Sequence, residues 1–174
     1  MFEDKEVYIN ELPRRWVEFT LGPQKNFIRT SEVRSVKREE VSGGNFIEFP
    51  GVGSCIPAIL LSDAGNILAI HAHHDQDLED LKHKLQTHLA ANSDQEIWKL
   101  IYVETIVERD EEKDPFRFIA NVNNRSRQQV VSFLSNSGKI DPRIKPELIK
   151  IKTPNLIDNL AYSIENGFEL VLAM

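Results

Sequence analysis

Cysteine is almost missing from this chain: among 174 residues there is one, Cys55. No internal disulfide can form, so a reducing compartment or a free functional thiol is expected. No apolar run approaches the roughly 20 residues of a membrane-spanning helix, and no membrane partner is expected. The opening MFEDKEVYIN lacks the basic and then apolar pattern of a signal peptide. Cations are fewer than anions, 21 Lys and Arg against 27 Asp and Glu, for a formal net charge of −6. That balance argues against a nucleic-acid partner. Internal repeats and low-complexity tracts are also lacking. The length suits one domain, residues 1–174, with a sizeable core.

What is present is concentrated in residues 51–77, GVGSCIPAILLSDAGNILAIHAHHDQD. This stretch holds Cys55 and three of the five histidines, His71, His73 and His74. Two apolar runs, 56–61 and 67–70, flank Ser62-Asp63-Ala64-Gly65-Asn66, which is a β-hairpin signal. A three-residue loop at 63–65, with Gly65 left-handed, sets Ser62 across from Asn66 and Pro57 across from His71. Cys55 then faces His73, with His71 on the diagonal. Cross-strand partners sit about 5 Å apart and diagonals about 7–8 Å, so both imidazoles are within reach of the thiol. A loop one residue longer brings His74 to Cys55 instead, because side chains alternate faces.

A thiol beside an imidazole has a chemical use. The base takes the proton and the thiolate is the nucleophile. The Gly-Val-Gly-Ser lead-in lets backbone amides, those of Gly53, Ser54 and Cys55, point at a developing oxyanion.

Gly53-Ser54-Cys55, the apolar strand, the Asp63 turn and a second strand ending in His71 resemble the chemoreceptor glutamine deamidases of bacterial chemotaxis. More loosely they resemble the Cys–His deamidase toxins of the cytotoxic necrotizing factor type. Asn124-Arg125-Ser126, leading into Val130, Val131 and Leu134, is similar to a later segment of the chemotaxis family. So is Tyr162-Ser163-Ile164-Glu165-Asn166-Gly167 to its closing hairpin. The resemblance implies a single deamidase-like catalytic domain, with residues 1–44 an N-terminal addition to its core. It implies a cysteine hydrolase acting on linear amides, a protein-glutamine glutaminase, with Cys55 as nucleophile. His71 is the base, with His73 as the alternative. The spacing from Cys55 to His71 lies between those of the two groups, which favours His71. No cofactor and no metal are needed. The partner is a protein substrate carrying a target glutamine, in the bacterial cytoplasm or, for a secreted effector, in a host cytosol. The chemotaxis enzymes carry a Thr six residues before the Cys, where this chain has Phe49. Glu48 and Ser42 are the candidates to replace it.

The remaining elements predict an α+β fold: mixed β-sheets forming a sandwich-like core flanked by two helices, with the nucleophile on a β-hairpin. Short strands are expected at 6–10, 16–20, 26–30 and 45–49. The charged stretch 34–40 reads as a solvated face. Leu78, Leu81, Leu85 and Leu89 recur at helical spacing over 77–91, with Asp75 or Asp77 as N-cap and His83 and His88 on the flanks. A strand is expected at 97–107, a loop at 108–114 and a strand at 116–122. A helix follows near 127–136, with Asn124 and Arg125 placed either to line a cleft or to serve as a cap and a surface cation. Asp141-Pro142 and Lys145-Pro146 mark a connector before a strand at 148–152. Asn166-Gly167 joins a closing hairpin of 160–165 and 168–172.

Two other functions compete. His71-Ala72-His73-His74-Asp75 resembles the strand-end metal motif of metallo-β-lactamase-type hydrolases, which makes a zinc-dependent hydrolase using His71, His73 and Asp75 the alternative. A non-catalytic binding module, with Cys55 as a small core hydrophobe, is the third.

Overall fold

A computed structural model describes residues 4–18, 26–92, 96–107 and 125–173. Ten strands run through them in chain order. The first five are β1 (Lys5–Tyr8), β2 (Arg14–Val17), β3 (Val33–Val36), β4 (Ile47–Phe49) and β5 (Ile56–Ser62). The others are β6 (Ile67–Ala72), β7 (Trp98–Val107), β8 (Ile144–Thr153), β9 (Leu160–Ser163) and β10 (Gly167–Ala173). Two α-helices join them, α1 (Leu78–Ala90) and α2 (Arg125–Ser135).

The β5–β6 hairpin is apolar at nearly every position because both of its faces are covered. It sits within a six-stranded mixed sheet of order β1-β8-β7-β5-β6-β3. One face of that sheet, including Ile56, Ala58, Leu60 and Ile70, packs on Leu81, Leu85 and Leu89 of α1 and on Val130, Val131 and Leu134 of α2. The other face, including Ile59, Ile67, Ala69 and Val103, packs on the second sheet through Ile47, Phe49, Leu160 and Phe168. The second sheet has four strands in the order β2-β10-β9-β4. The fold is therefore α+β, two mixed sheets packed together with two helices, as the sequence predicts. Among the described residues no helix is long and apolar enough to cross a membrane.

The hairpin takes the register of the three-residue loop. Pro57 pairs with His71 and Leu61 with Ile67. Ser62 accepts from the Gly65 amide and donates its own amide to the Asn66 carbonyl. Gly65 has φ 92°, the left-handed conformation that the turn requires. The closing hairpin forms in the same way, with Gly167 (φ 69°) opposite Ser163. Helix α1 is capped by Asp77, whose carboxylate accepts from the Glu79 and Asp80 amides.

Three expectations need correction. The charged stretch around Arg34 is not only a solvated face, because Val33–Val36 is an edge strand paired with β6. Residues 26–30 are not a strand; only an isolated bridge links Phe27 to Glu48. Pro146 does not end a connector but lies inside β8, opposite Leu100 of β7. Strand β1 reaches β8 only from Ile149 onward, so the side of Pro146 that lacks an N–H faces no strand. The loop expected at 108–114 and the strand at 116–122 lie outside the described residues. Residues 1–44 supply β1, β2 and β3, and each is an edge strand.

Candidate functional site

Cys55 ends a tight loop, residues 51–55, that enters β5. Gly51 (φ 59°) and Gly53 (φ 49°) both adopt the left-handed conformation that favours glycine. Neighbouring chain fixes nearly every polar group of this loop. The Gly51 amide donates to Asn159 Oδ1 (3.1 Å), Val52 to the Asp158 carbonyl (2.7 Å) and Gly53 to the Ile157 carbonyl (2.9 Å). The Cys55 amide donates back to the Val52 carbonyl at 2.6 Å. Thr105 Oγ1 donates to the Gly53 carbonyl (3.1 Å) and Arg127 Nε to the Ser54 carbonyl (2.9 Å). This corrects the expected oxyanion set. The Gly53 and Cys55 amides are committed, and of the loop's amides only that of Ser54 makes no hydrogen bond to a described residue.

Arg127 is fully buried. Besides Ser54 it reaches the Thr105 carbonyl (3.0 Å) and Glu104 Oε1 (3.4 Å), both on β7. Burial lowers its pKa, and Glu104 opposes that shift. The sequence carried a signal for it. Arg127, Val130, Val131 and Leu134 share one helical face by their spacing, and that face is the buried one. Arg125, singled out instead, is exposed, and Asn124 lies outside the described residues.

His71 is wholly buried on β6 and faces the second sheet. Its Nδ1 lies 2.7 Å from the Ile28 carbonyl oxygen. A carbonyl only accepts, so Nδ1 carries the proton and the lone pair is on Nε2. That Nε2 is buried without a hydrogen-bond partner. The backbone of His71 is held by the same segment: its amide donates to the Glu32 carbonyl (3.0 Å), and its carbonyl accepts from Ser31 (2.7 Å). Phe49, six residues before Cys55, packs against the ring with 5.8 Å between centroids and planes at 76°. The ring is therefore oriented by a backbone carbonyl from the N-terminal segment. Burial lowers the His71 pKa and keeps the imidazole neutral. Of the two candidate replacements for Thr, Ser42 bonds the Arg38 carbonyl. Glu48 accepts from Asn159 Nδ2 (3.0 Å), so it supports the Gly51 end of the loop rather than the histidine.

Cys55 is 5% exposed and its thiol is free. Burial pushes its pKa up. The Thr30 side chain, the His74 backbone amide and the Arg127 charge pull it back, and the Asp75 carboxylate adds to the rise. The register continues from Pro57↔His71 and Ile56↔Ala72 to place His73 across from Cys55. There β6 ends. The chain turns at 73–76, where the Gln76 amide bonds the His73 carbonyl, and His73 swings outward to pair with Asp75. His71 stays inside on the diagonal, and it makes no Nε2 bond to the thiol. Thr30 and Asn159 carry no pattern in the sequence that ties them to Cys55.

The expected metal set is corrected as well. Among the described residues the donors that converge are those of His73, His74 and Asp75, all within 4.8 Å of one another. His74 replaces His71. His74 Nδ1 also lies 3.1 Å from Ser54 Oγ, on the loop that holds the cysteine.

No protein-family model and no curated protein gives a significant match to this chain.

Proposed function

We propose that the protein is a cysteine-dependent hydrolase of side-chain amides that converts glutamine to glutamate on a protein substrate. The observation that carries this reading is the state of His71. Its Nδ1 is tied to a carbonyl, its Nε2 lone pair is uncommitted, and it sits one diagonal step across the hairpin from the only thiol. A base oriented by a third group and set beside a nucleophile is the arrangement that acyl transfer needs.

The thiol rests protonated in its buried site. On attack its proton passes to His71 Nε2, and sulfur bonds the amide carbon. The Ser54 amide is the donor left for the oxyanion, in a loop that Arg127 and Asn159 hold rigid. His71 then returns the proton to the departing ammonia, which leaves a thioester. Water attacks that thioester and gives a proton to His71, which passes it to the sulfur as the carboxylic acid leaves.

The test is ammonia release from casein and from a blocked glutaminyl dipeptide, with the amide-to-acid mass change read on the product. Wild type should release ammonia, and Cys55→Ser and His71→Gln should not. Release that persists in Cys55→Ser sinks the reading. A wild-type rate in His71→Gln removes the assigned base.

A further inference from the structure

We propose that His73, His74 and Asp75 form a binding site for a divalent metal ion of the zinc class, set beside Cys55. Adjacent residues of a strand point to opposite faces. His73 and His74 do not, because β6 ends at Ala72 and the chain turns. Their ring centroids lie 4.0 Å apart with the planes tilted by 38°. The His73–Asp75 pair accounts for two of the three side chains. It does not account for the second imidazole, whose ring lies against the first. A cation shared by all three does.

The donor chemistry selects the ion. Two imidazole nitrogens and one carboxylate oxygen suit zinc and its transition-metal neighbours rather than magnesium or calcium. Zinc bonds of about 2.0–2.1 Å put tetrahedral ligands about 3.3 Å apart. The donors already lie within 4.8 Å of one another. Ser54 Oγ on His74 Nδ1 supplies the outer partner that a metal-bound imidazole usually has, and it leaves His74 Nε2 for the ion. Three protein ligands leave a fourth position open. His71 is not a ligand, because its ring packs on Phe49 and is tied to the Ile28 carbonyl.

The site is joined to the cysteine loop through Ser54, which bonds His74 Nδ1 and immediately precedes Cys55. An ion at 73–75 therefore pins the turn that follows β6, across the hairpin from Cys55.

The experiment uses the full chain and needs no substrate, so it can fail independently of the amidohydrolase reading. Zinc is titrated by calorimetry, and cobalt(II) replaces it for absorption spectra. Wild type should bind one ion per chain, and His73→Ala, His74→Ala and Asp75→Ala should each abolish binding while melting as wild type does. Ser54→Ala should weaken binding by about 10–100-fold, the usual cost of losing an outer partner. Cys55→Ser should bind as wild type, and the cobalt spectrum should show no thiolate charge-transfer band. Zinc should slow alkylation of Cys55 severalfold in wild type but not in His74→Ala. No bound ion, unchanged binding in His74→Ala, or loss of binding in Cys55→Ser would each overturn the proposal. So would binding that needs His71 but not His74.

Discussion

Arg127 takes a full charge into the core and spends its donors on backbone carbonyls of the cysteine loop and of β7. Its charge is met by Glu104 alone among the ion pairs of the described residues. Removing one member of a buried pair strands the other, which typically costs about 3–5 kcal/mol. Arg127→Met should therefore lower unfolding stability by about that much in denaturant titrations, and adding Glu104→Gln should restore part of it. A loss below about 1 kcal/mol would mean that the pair contributes little, as exposed pairs do. Glu48 is the opposite case, a buried carboxyl with no cation in its hydrogen-bond set. Burial raises its pKa above the ordinary 4.5, and the bond from Asn159 opposes the rise. Above 4.5 the unfolded chain gives up this proton before the folded one does. Its contribution to stability is therefore complete below 4.5 and is lost as pH rises through the raised value. Glu48→Gln cannot titrate and keeps an acceptor for Asn159. Relative to wild type it should gain melting temperature as pH rises above 4.5, and a difference that does not change with pH would contradict the burial cost.

The elements were legible in the sequence wherever local chemistry alone decided them. The β5–β6 register followed from a short loop with one glycine in the position that needs positive φ, and that loop also aligned Cys55 with His73 and Pro57 with His71. Helix α1 followed from four leucines and a capping Asp77. The failures are elements whose pairing partner decides the outcome. Strand β3 has apolar residues only at its two ends, Val33 and Val36, and carries Arg34 as edge strands tend to. It is a strand because β6 offers it an open ladder. Pro146 reads as a break, and it is tolerated only because β1 leaves that side of β8 uncovered. The site divides in the same way. Sequence spacing brought the thiol and the histidines to one hairpin end. It did not reveal that the chain turns at His73, which trades His71 for His74 in the converging cluster. Nor did it reveal that Ile28, some forty residues away in the chain, orients His71.

At the scale of the molecule, the question is whether residues 1–44 can be separated from the rest. All three of their strands are edges, which suits an addition to a core. Their other contacts do not. Strand β3 covers the open side of β6, the middle of the site hairpin. Strand β2 pairs in parallel with β10, and Arg15 meets the buried Glu169 through two nitrogens, each at 2.9 Å. The Ile28 carbonyl accepts from the His71 ring, and the Thr30 side chain lowers the Cys55 pKa. Deleting 1–44 would bare a ladder of β6 and leave buried Glu169 without its cation. It would also leave the His71 ring with neither nitrogen bonded. Exposed apolar edges pair with other chains, and an unpaired buried charge is costly. The fragment 45–174 should therefore aggregate or melt without a cooperative transition, while full-length protein melts in one step. Calorimetry and size-exclusion chromatography of both would decide. A monomeric fragment with a cooperative transition near that of the full chain would make the N-terminal strands a detachable layer. The orientation of His71 would then have to come from the β5–β6 hairpin alone.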